Sequence, residues 1–160
     1  MSTLEETVGR LLTDQGLTIA VAESCTGGLI AHRLTNVPGS SAYFVGGVVA
    51  YANEIKEQVL GVSGETLAAH GAISEETVRE MARGVRRLLG TDLAISATGI
   101  AGPTGGTPQK PVGLVYVALA ASDQELGERH LWRGDRLENK RQTSEAALEM
   151  LRQYLEARRP

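Results

Sequence analysis

The sequence predicts an α/β protein, a three-layer α/β/α sandwich built on a mixed, mostly parallel sheet. Two observations lead there. Helical and strand patterns alternate along the chain, as in layered α/β folds. The strand candidates TIAVA, GVVAY, DLAISA and GLVYVALAA are continuous apolar runs, the pattern of strands covered on both faces rather than one. No repeat, low-complexity tract or long linker divides the 160 residues. One domain over 1–160 is therefore expected, of a size that buries about 70% of its unfolded surface.

Each element has its own signal. Leu4, Val8, Leu11 and Leu12 recur at helical spacing, and Gly16 ends that helix. Thr18–Ala22 is a short run with β-branched residues, a buried strand. It leads through Glu23-Ser24-Cys25-Thr26-Gly27-Gly28 into a helix over Leu29–Leu34. Residues 36–41 (Asn-Val-Pro-Gly-Ser-Ser) read as a loop. Gly47–Tyr51 is the second strand, and Asn53 would cap a short helix from Glu54 to Leu60.

Residues 63–70 and 74–89 are two further helices. Ser74 is the N-cap of the second, Glu75 and Glu76 suit its positive end, and Gly90 closes it. Asp92–Ala97 is the third strand and Gly113–Ala121 the fourth, with a glycine-rich stretch between them. His130–Arg133 is an edge strand, and Leu137–Tyr154 a long amphipathic helix. Antiparallel pairing of Leu114–Leu119 with the run at Leu131 would make the sheet mixed.

Composition removes several function classes. Apolar residues make up 42% and charged residues 22%, which excludes a disordered tail, a collagen-like rod and a coiled coil. Nineteen acidic against sixteen basic residues leave a net charge of −3, which argues against nucleic acid as the main ligand. Thirteen of the sixteen cations are Arg, suited to forked contacts with carboxylate or phosphate. Cys25 is the only cysteine, so there is no disulfide framework. His32, His70 and His130 lack zinc-site spacing, so neither a metal nor a cofactor is expected. The N-terminal MSTLEETVGR has no signal-peptide pattern, and no apolar run approaches the ~20 residues that span a bilayer. The expectation is a cytoplasmic protein with no membrane partner.

Two loops follow buried strands, where open α/β sheets hold ligands. In the first, Glu23–Gly28, backbone N–H groups at a helix start favour an anion and glycine permits close approach. The same glycines would also serve a plain tight turn. The second, Gly99–Gly113, holds five glycines and three prolines; such length without an element of its own is either functional or a flexible connection. No Walker loop, GxGxxG, GxSxG or SxxK occurs. Of only three lysines, Lys56 stands near the end of the second strand. Burial would make it a general base beside a Ser and a Tyr; otherwise it is a solvated lysine on a surface helix.

Six blocks occur together and in order: AESCTGG (22–28), PGSSAYF (38–44), YANEIK (51–56), HGAIS (70–74), TGIAGPTGG (98–106) and KPVGLVYVA (110–118). Over roughly residues 5–155 the chain resembles the CinA C-terminal domain family, whose stand-alone members are nicotinamide-nucleotide amidohydrolases. The resemblance implies an α/β/α fold without a metal. It also implies hydrolysis of the carboxamide of nicotinamide mononucleotide to nicotinate mononucleotide and ammonia, in pyridine-nucleotide salvage. A non-catalytic nucleotide- or phosphate-binding module that retains the pocket is the alternative. A homodimer is expected, since family members commonly self-associate.

By motif, Ser41 matches the family's nucleophile, Lys56 its activating base and Tyr51 the residue that relays or orients the proton. Ser24 and Thr98 match polar site residues, and 99–106 matches the pocket wall. The substrate-binding set is therefore Ser24, Thr26, Gly27, Thr98, Gly99, Gly102, Arg136 and Arg141, the two arginines as candidates for the substrate's phosphate. Oxyanion donors would come from backbone N–H groups at 24–28 or 99–102. One constraint follows from length. If residues 42–50 were one strand, Ser41 and Tyr51 would stand about 33 Å apart at roughly 3.3 Å per residue. A shared site requires residues 41–45 to be helical or turn-like, with Ser40 or Ser41 as cap and Gly46-Gly47 reversing the chain. An extended segment there would remove Ser41 from the chemistry and promote Ser24.

Overall fold

The computed structural model describes residues 1–158. In chain order its elements are α1 (Leu4–Gln15), β1 (Ile19–Glu23), α2 (Leu29–Thr35), a 3₁₀ turn (Ser40–Ala42), β2 (Phe44–Val49), α3 (Asn53–Gln58), α4 (Gly64–His70), α5 (Glu75–Leu89), β3 (Leu93–Gly99), β4 (Leu114–Ala120), β5 (Glu125–Leu131) and α6 (Arg136–Ala157). The strands form one sheet in the order β2-β1-β3-β4-β5. β1 pairs in parallel with β2 and β3, while β3–β4 and β4–β5 are antiparallel.

Alternation within the strands sets the layers. Ile19, Val21, Leu93, Ile95, Val117 and Leu119 join Leu11, Leu12, Ile30, Leu34, Leu148 and Leu151 in one core, so α1, α2 and α6 cover that face. The opposite face presents Ala20, Ala22, Ala94, Ala118 and Ala120, against which Met81, Val85, Val78 and Ala82 of α5 pack. Small residues beneath a helix let its axis sit close to the sheet. Gly84 lets α5 meet the connection between α3 and α4 just as closely: a Cβ there would fall 1.8 Å from the carbonyl oxygen of Leu60. The result is the α/β/α sandwich that the alternation predicts.

Local signals account for the helix ends. Thr3 and Glu6 form a reciprocal capping box at α1, with bonds of 3.1 and 2.9 Å. Ser74 accepts from Thr77 N at 3.1 Å at the start of α5, and Asp135 accepts from Glu138 N at 2.9 Å at the start of α6. Asn53 does not cap α3; the cap position is Ala52, with no side-chain bond, and Asn53 is the first helical residue.

The second strand departs from expectation. A turn does form at Ser40–Ala42, but the chain is extended from Phe44 and Gly46-Gly47 lie inside β2. Pairing with β1 explains this. Gly47 stands opposite Val21, and a Cβ on Gly47 would fall 2.5 Å from the Val21 side chain. Gly47 admits β1 alongside, and the pair continues the strand rather than reversing the chain. Among the described residues, no helix is long and apolar enough to cross a membrane.

Candidate active site

Because β1, β2 and β3 run in parallel, their C-terminal ends share one end of the sheet, the end where such folds bind ligands. Ser24 follows β1, Ala50 and Tyr51 follow β2, and α3 then returns Lys56 beneath them. Lys56 is 1% exposed, the largest of the fully buried side chains. Its Nζ lies 2.8 Å from Ala50 O, 3.1 Å from Tyr51 O and 3.1 Å from Ser24 Oγ.

All three partners are uncharged oxygens: two carbonyls, which can only accept, and the Ser24 hydroxyl, which accepts from the amine here and can donate to it once the amine is neutral. Among the described residues no carboxylate bonds to Lys56, and burial lowers its pKa against a weaker opposing influence of Cys25. A lysine without a counter-ion in a desolvated place is poised as a base. The solvated-lysine alternative does not hold.

Cys25 is adjacent, and its thiol is buried. Burial pushes the Cys25 pKa up to about 12, so the thiolate is scarce at neutral pH. The hydroxyl bonded to the buried amine is the group in position to react.

Glu23, which sequence reasoning passed over, is 1% exposed. Its Oε1 accepts from Thr26 Oγ1 at 2.5 Å, Gly28 N at 3.2 Å and Ile30 N at 2.9 Å, and its Oε2 from Ala31 N at 2.9 Å. The start of α2, expected to receive an anion, therefore already holds one from the chain itself. Among the described residues, Cys25 N and Thr26 N donate to no carbonyl.

The first turns of α6 close the site. Arg136 Nη1 donates to Gly102 O at 2.8 Å and Nη2 to Tyr51 Oη at 3.2 Å. Asn139, buried, donates to Ala101 O at 3.0 Å. Lys140 Nζ lies 3.6 Å from where a Cβ on Gly27 would stand, a residue at φ +60°. Lys140 was not among the expected residues, yet its spacing of four from Arg136 places both on one helix face.

Several expected roles change. Ser41 is exposed on the 3₁₀ turn that precedes β2, where Tyr43 O receives Ile19 N at the start of β1. Ser24 and Lys56 lie at the other end, about 20 Å of strand away at ~3.3 Å per residue. The extended run from Phe44 thus separates Ser41 from Lys56 within the chain. Tyr51 holds Lys56 through its carbonyl, while its hydroxyl accepts from Arg136 and makes no bond to Lys56 or Ser24 among the described residues. The Thr26 hydroxyl is committed to Glu23, and Thr98 Oγ1 donates to Ala72 O at 2.9 Å.

Gly99 and Gly102 act through their backbone. A Cβ on either would fall within 2.4 Å of Val115 or Val112, and Gly102 supplies the carbonyl that holds Arg136. Arg141 is not brought to the dyad. It pairs with Glu138 at 2.7 Å and lines a groove with His130 and Trp132, because five residues past Arg136 is about 140° around the helix. Among the described residues, no group of three or more His, Cys, Asp or Glu is placed to hold a metal ion.

A sequence model of the CinA C-terminal domain matches residues 1–155. A CinA-like protein of Chloroherpeton thalassium is 58% identical over 159 residues, 96% of this chain and 38% of that protein. A putative competence-damage inducible protein of Halothermothrix orenii is 54% identical over 155 residues, again 96% and 38%. The chain thus spans about two-fifths of the length of these curated relatives. Among solved structures, competence damage-inducible protein A of Klebsiella pneumoniae superposes with a TM-score of 0.94 at 37% identity, covering 98% of this chain and 97% of that one. The competence/damage inducible protein CihA of Agrobacterium tumefaciens gives 0.90 at 42%, covering 98% and 99%.

Proposed function

The chain belongs to the CinA C-terminal domain family, and from that premise we propose that it is a serine–lysine amidohydrolase. Its substrate in this proposal is nicotinamide mononucleotide, whose carboxamide is hydrolysed to nicotinate mononucleotide and ammonia. The observation that carries the reading is the 3.1 Å contact between Lys56 Nζ and Ser24 Oγ. It joins a buried, counter-ion-free amine to a hydroxyl at the ligand-binding end of the sheet.

The chemistry follows from that pair. Neutral Lys56 takes the proton of Ser24 Oγ as the oxygen attacks the carboxamide carbon, giving a tetrahedral oxyanion. The resulting ammonium returns the proton to the departing nitrogen, and ammonia leaves as the C–N bond breaks. Water then attacks the Ser24 ester and gives a proton to Lys56, which passes it to Ser24 Oγ as the C–Oγ bond breaks. The acid so freed ionises to the carboxylate, and Ser24 and the neutral amine are restored. The carbonyls of Ala50 and Tyr51 hold the amine in place throughout.

Substrate class is supported by charge. Lys140 stands against Gly27, Arg136 holds Gly102 O and Tyr51 Oη, and neither forms an ion pair among the described residues. Unpaired cations beside an uncharged dyad suit a substrate that carries its own negative charge, such as a nucleotide phosphate. Ammonia release from nicotinamide mononucleotide, lost in Lys56→Met, tests the reading. Tight binding of the nucleotide without ammonia would identify a binding module instead.

A further inference from the structure

Glu23 is a buried carboxylate with no cation against it among the described residues. An ionised side chain at 1% exposure is costly unless donors surround it, and here four donors do. Capping a helix needs only one or two acceptors, which a Ser or Asp at the cap position supplies. Glu23 instead sits at the end of β1, one residue before Ser24, and reaches across the turn to Ile30 and Ala31 in α2. It thereby ties the strand before the turn to the helix after it.

The bonds sort the N–H groups of this segment into two sets. Gly28, Ile30 and Ala31 donate to Glu23. Gly27 N donates to Ser24 O at 3.1 Å, and Leu29 N to Thr26 O at 3.1 Å. Among the described residues, Cys25 and Thr26, the two residues after the hydroxyl, keep backbone N–H groups with no carbonyl acceptor. Donors immediately following a nucleophile are placed to meet charge developing on the attacked group.

We propose that Glu23 is a positioning residue that fixes the 24–28 turn, leaving Cys25 N–H and Thr26 N–H to hold the oxyanion formed at Ser24. The inference rests on the amidohydrolase reading above. Its carboxylate also fills the start of α2, so the substrate's negative group is directed to Arg136 and Lys140.

Glu23→Gln is the test, since it keeps the shape but turns one acceptor oxygen into a donor that faces N–H groups. Steady-state ammonia release is measured on nicotinamide mononucleotide at a temperature where circular dichroism finds both proteins folded. The expected result is a fall of at least about 30-fold in kcat, KM within threefold, and an unchanged pH inflection from Lys56. A purely structural role would lower the melting temperature and leave kcat of the folded protein unaltered; that result overturns the proposal, as does a rise in KM alone. If Glu23→Gln does not fold, Thr26→Val decides by the same split, with a smaller fall of about tenfold in kcat expected. Wild-type protein that releases no ammonia would overturn both readings, whereas an active wild type beside an equally active Glu23→Gln overturns only this one.

Discussion

Arg136 Nη2 donates to Tyr51 Oη at 3.2 Å, joining the start of α6 to the end of β2 across 85 residues of chain. Its other terminal nitrogen holds Gly102 O, so one guanidinium ties three segments around Ser24. Tyr51 is 61% exposed, which leaves this corner open to a ligand.

Removing the Arg136 side chain should therefore weaken substrate binding more than it slows the bond-breaking step. A charged hydrogen bond of ~1.5–3 kcal/mol corresponds to roughly 10–150-fold. Arg136→Ala is expected to raise KM within that range, while Tyr51→Phe, which keeps the carbonyl that holds Lys56, raises it less than tenfold. Steady-state kinetics on both variants checks this; a kcat collapse in Tyr51→Phe would return the hydroxyl to the proton path.

Lys140 acts through charge rather than a fixed bond. Lys140→Gln should raise KM by about three- to tenfold at low salt, and the difference should shrink as ionic strength rises. KM measured from ~0.02 to ~0.5 M salt decides it. A salt-independent difference would assign Lys140 a steric role.

Lys56 makes both activity and stability depend on pH. Only the neutral amine accepts a proton, so the rate should rise with pH through the lowered pKa and then level off. For stability, the folded pKa lies below the ordinary value of 10.5. Between the two, the unfolded chain binds more protons, and unfolding free energy increases with pH. Lys56→Met lacks this dependence. Its stability advantage at pH 7 should narrow toward pH 9.5 in urea titrations; a constant difference would mean that Lys56 does not titrate as inferred.

Packing under α5 gives a prediction independent of chemistry. Gly84→Ala would bring a methyl 1.8 Å from Leu60 O, a backbone atom that cannot swing aside. A loss of ~2–3 kcal/mol is expected, lowering the melting temperature by about 4–12 °C. An unchanged thermal transition would show that α5 and the α3–α4 connection can move apart.

Much of this architecture is legible from local residue patterns. The helix over 75–89 is bracketed by Ser74 and Gly90 as the sequence indicates, because a cap hydroxyl and a terminal glycine act on adjacent backbone. The second strand begins three residues and ends two residues earlier than its pattern indicates, for the opposite reason. Gly46-Gly47 reads as a turn by itself, and only the approach of Val21 in β1 makes it a strand. The site divides in the same way. Lys56 stood out by its rarity and its place after a strand, and Arg136 implies Lys140 by helical spacing. Glu23 could not be found so, since its role depends on four donors brought together by the folded turn. Which of Ser41 and Ser24 stands beside Lys56 likewise depends on which end of β2 each one meets.

The most direct test of the Lys56–Ser24 pairing is ammonia release from nicotinamide mononucleotide by Ser24→Ala and Ser41→Ala beside the wild type. The geometry predicts a loss of at least about a thousandfold in Ser24→Ala and a rate within twofold of wild type in Ser41→Ala. Abolished turnover in Ser41→Ala with activity retained in Ser24→Ala would contradict the account.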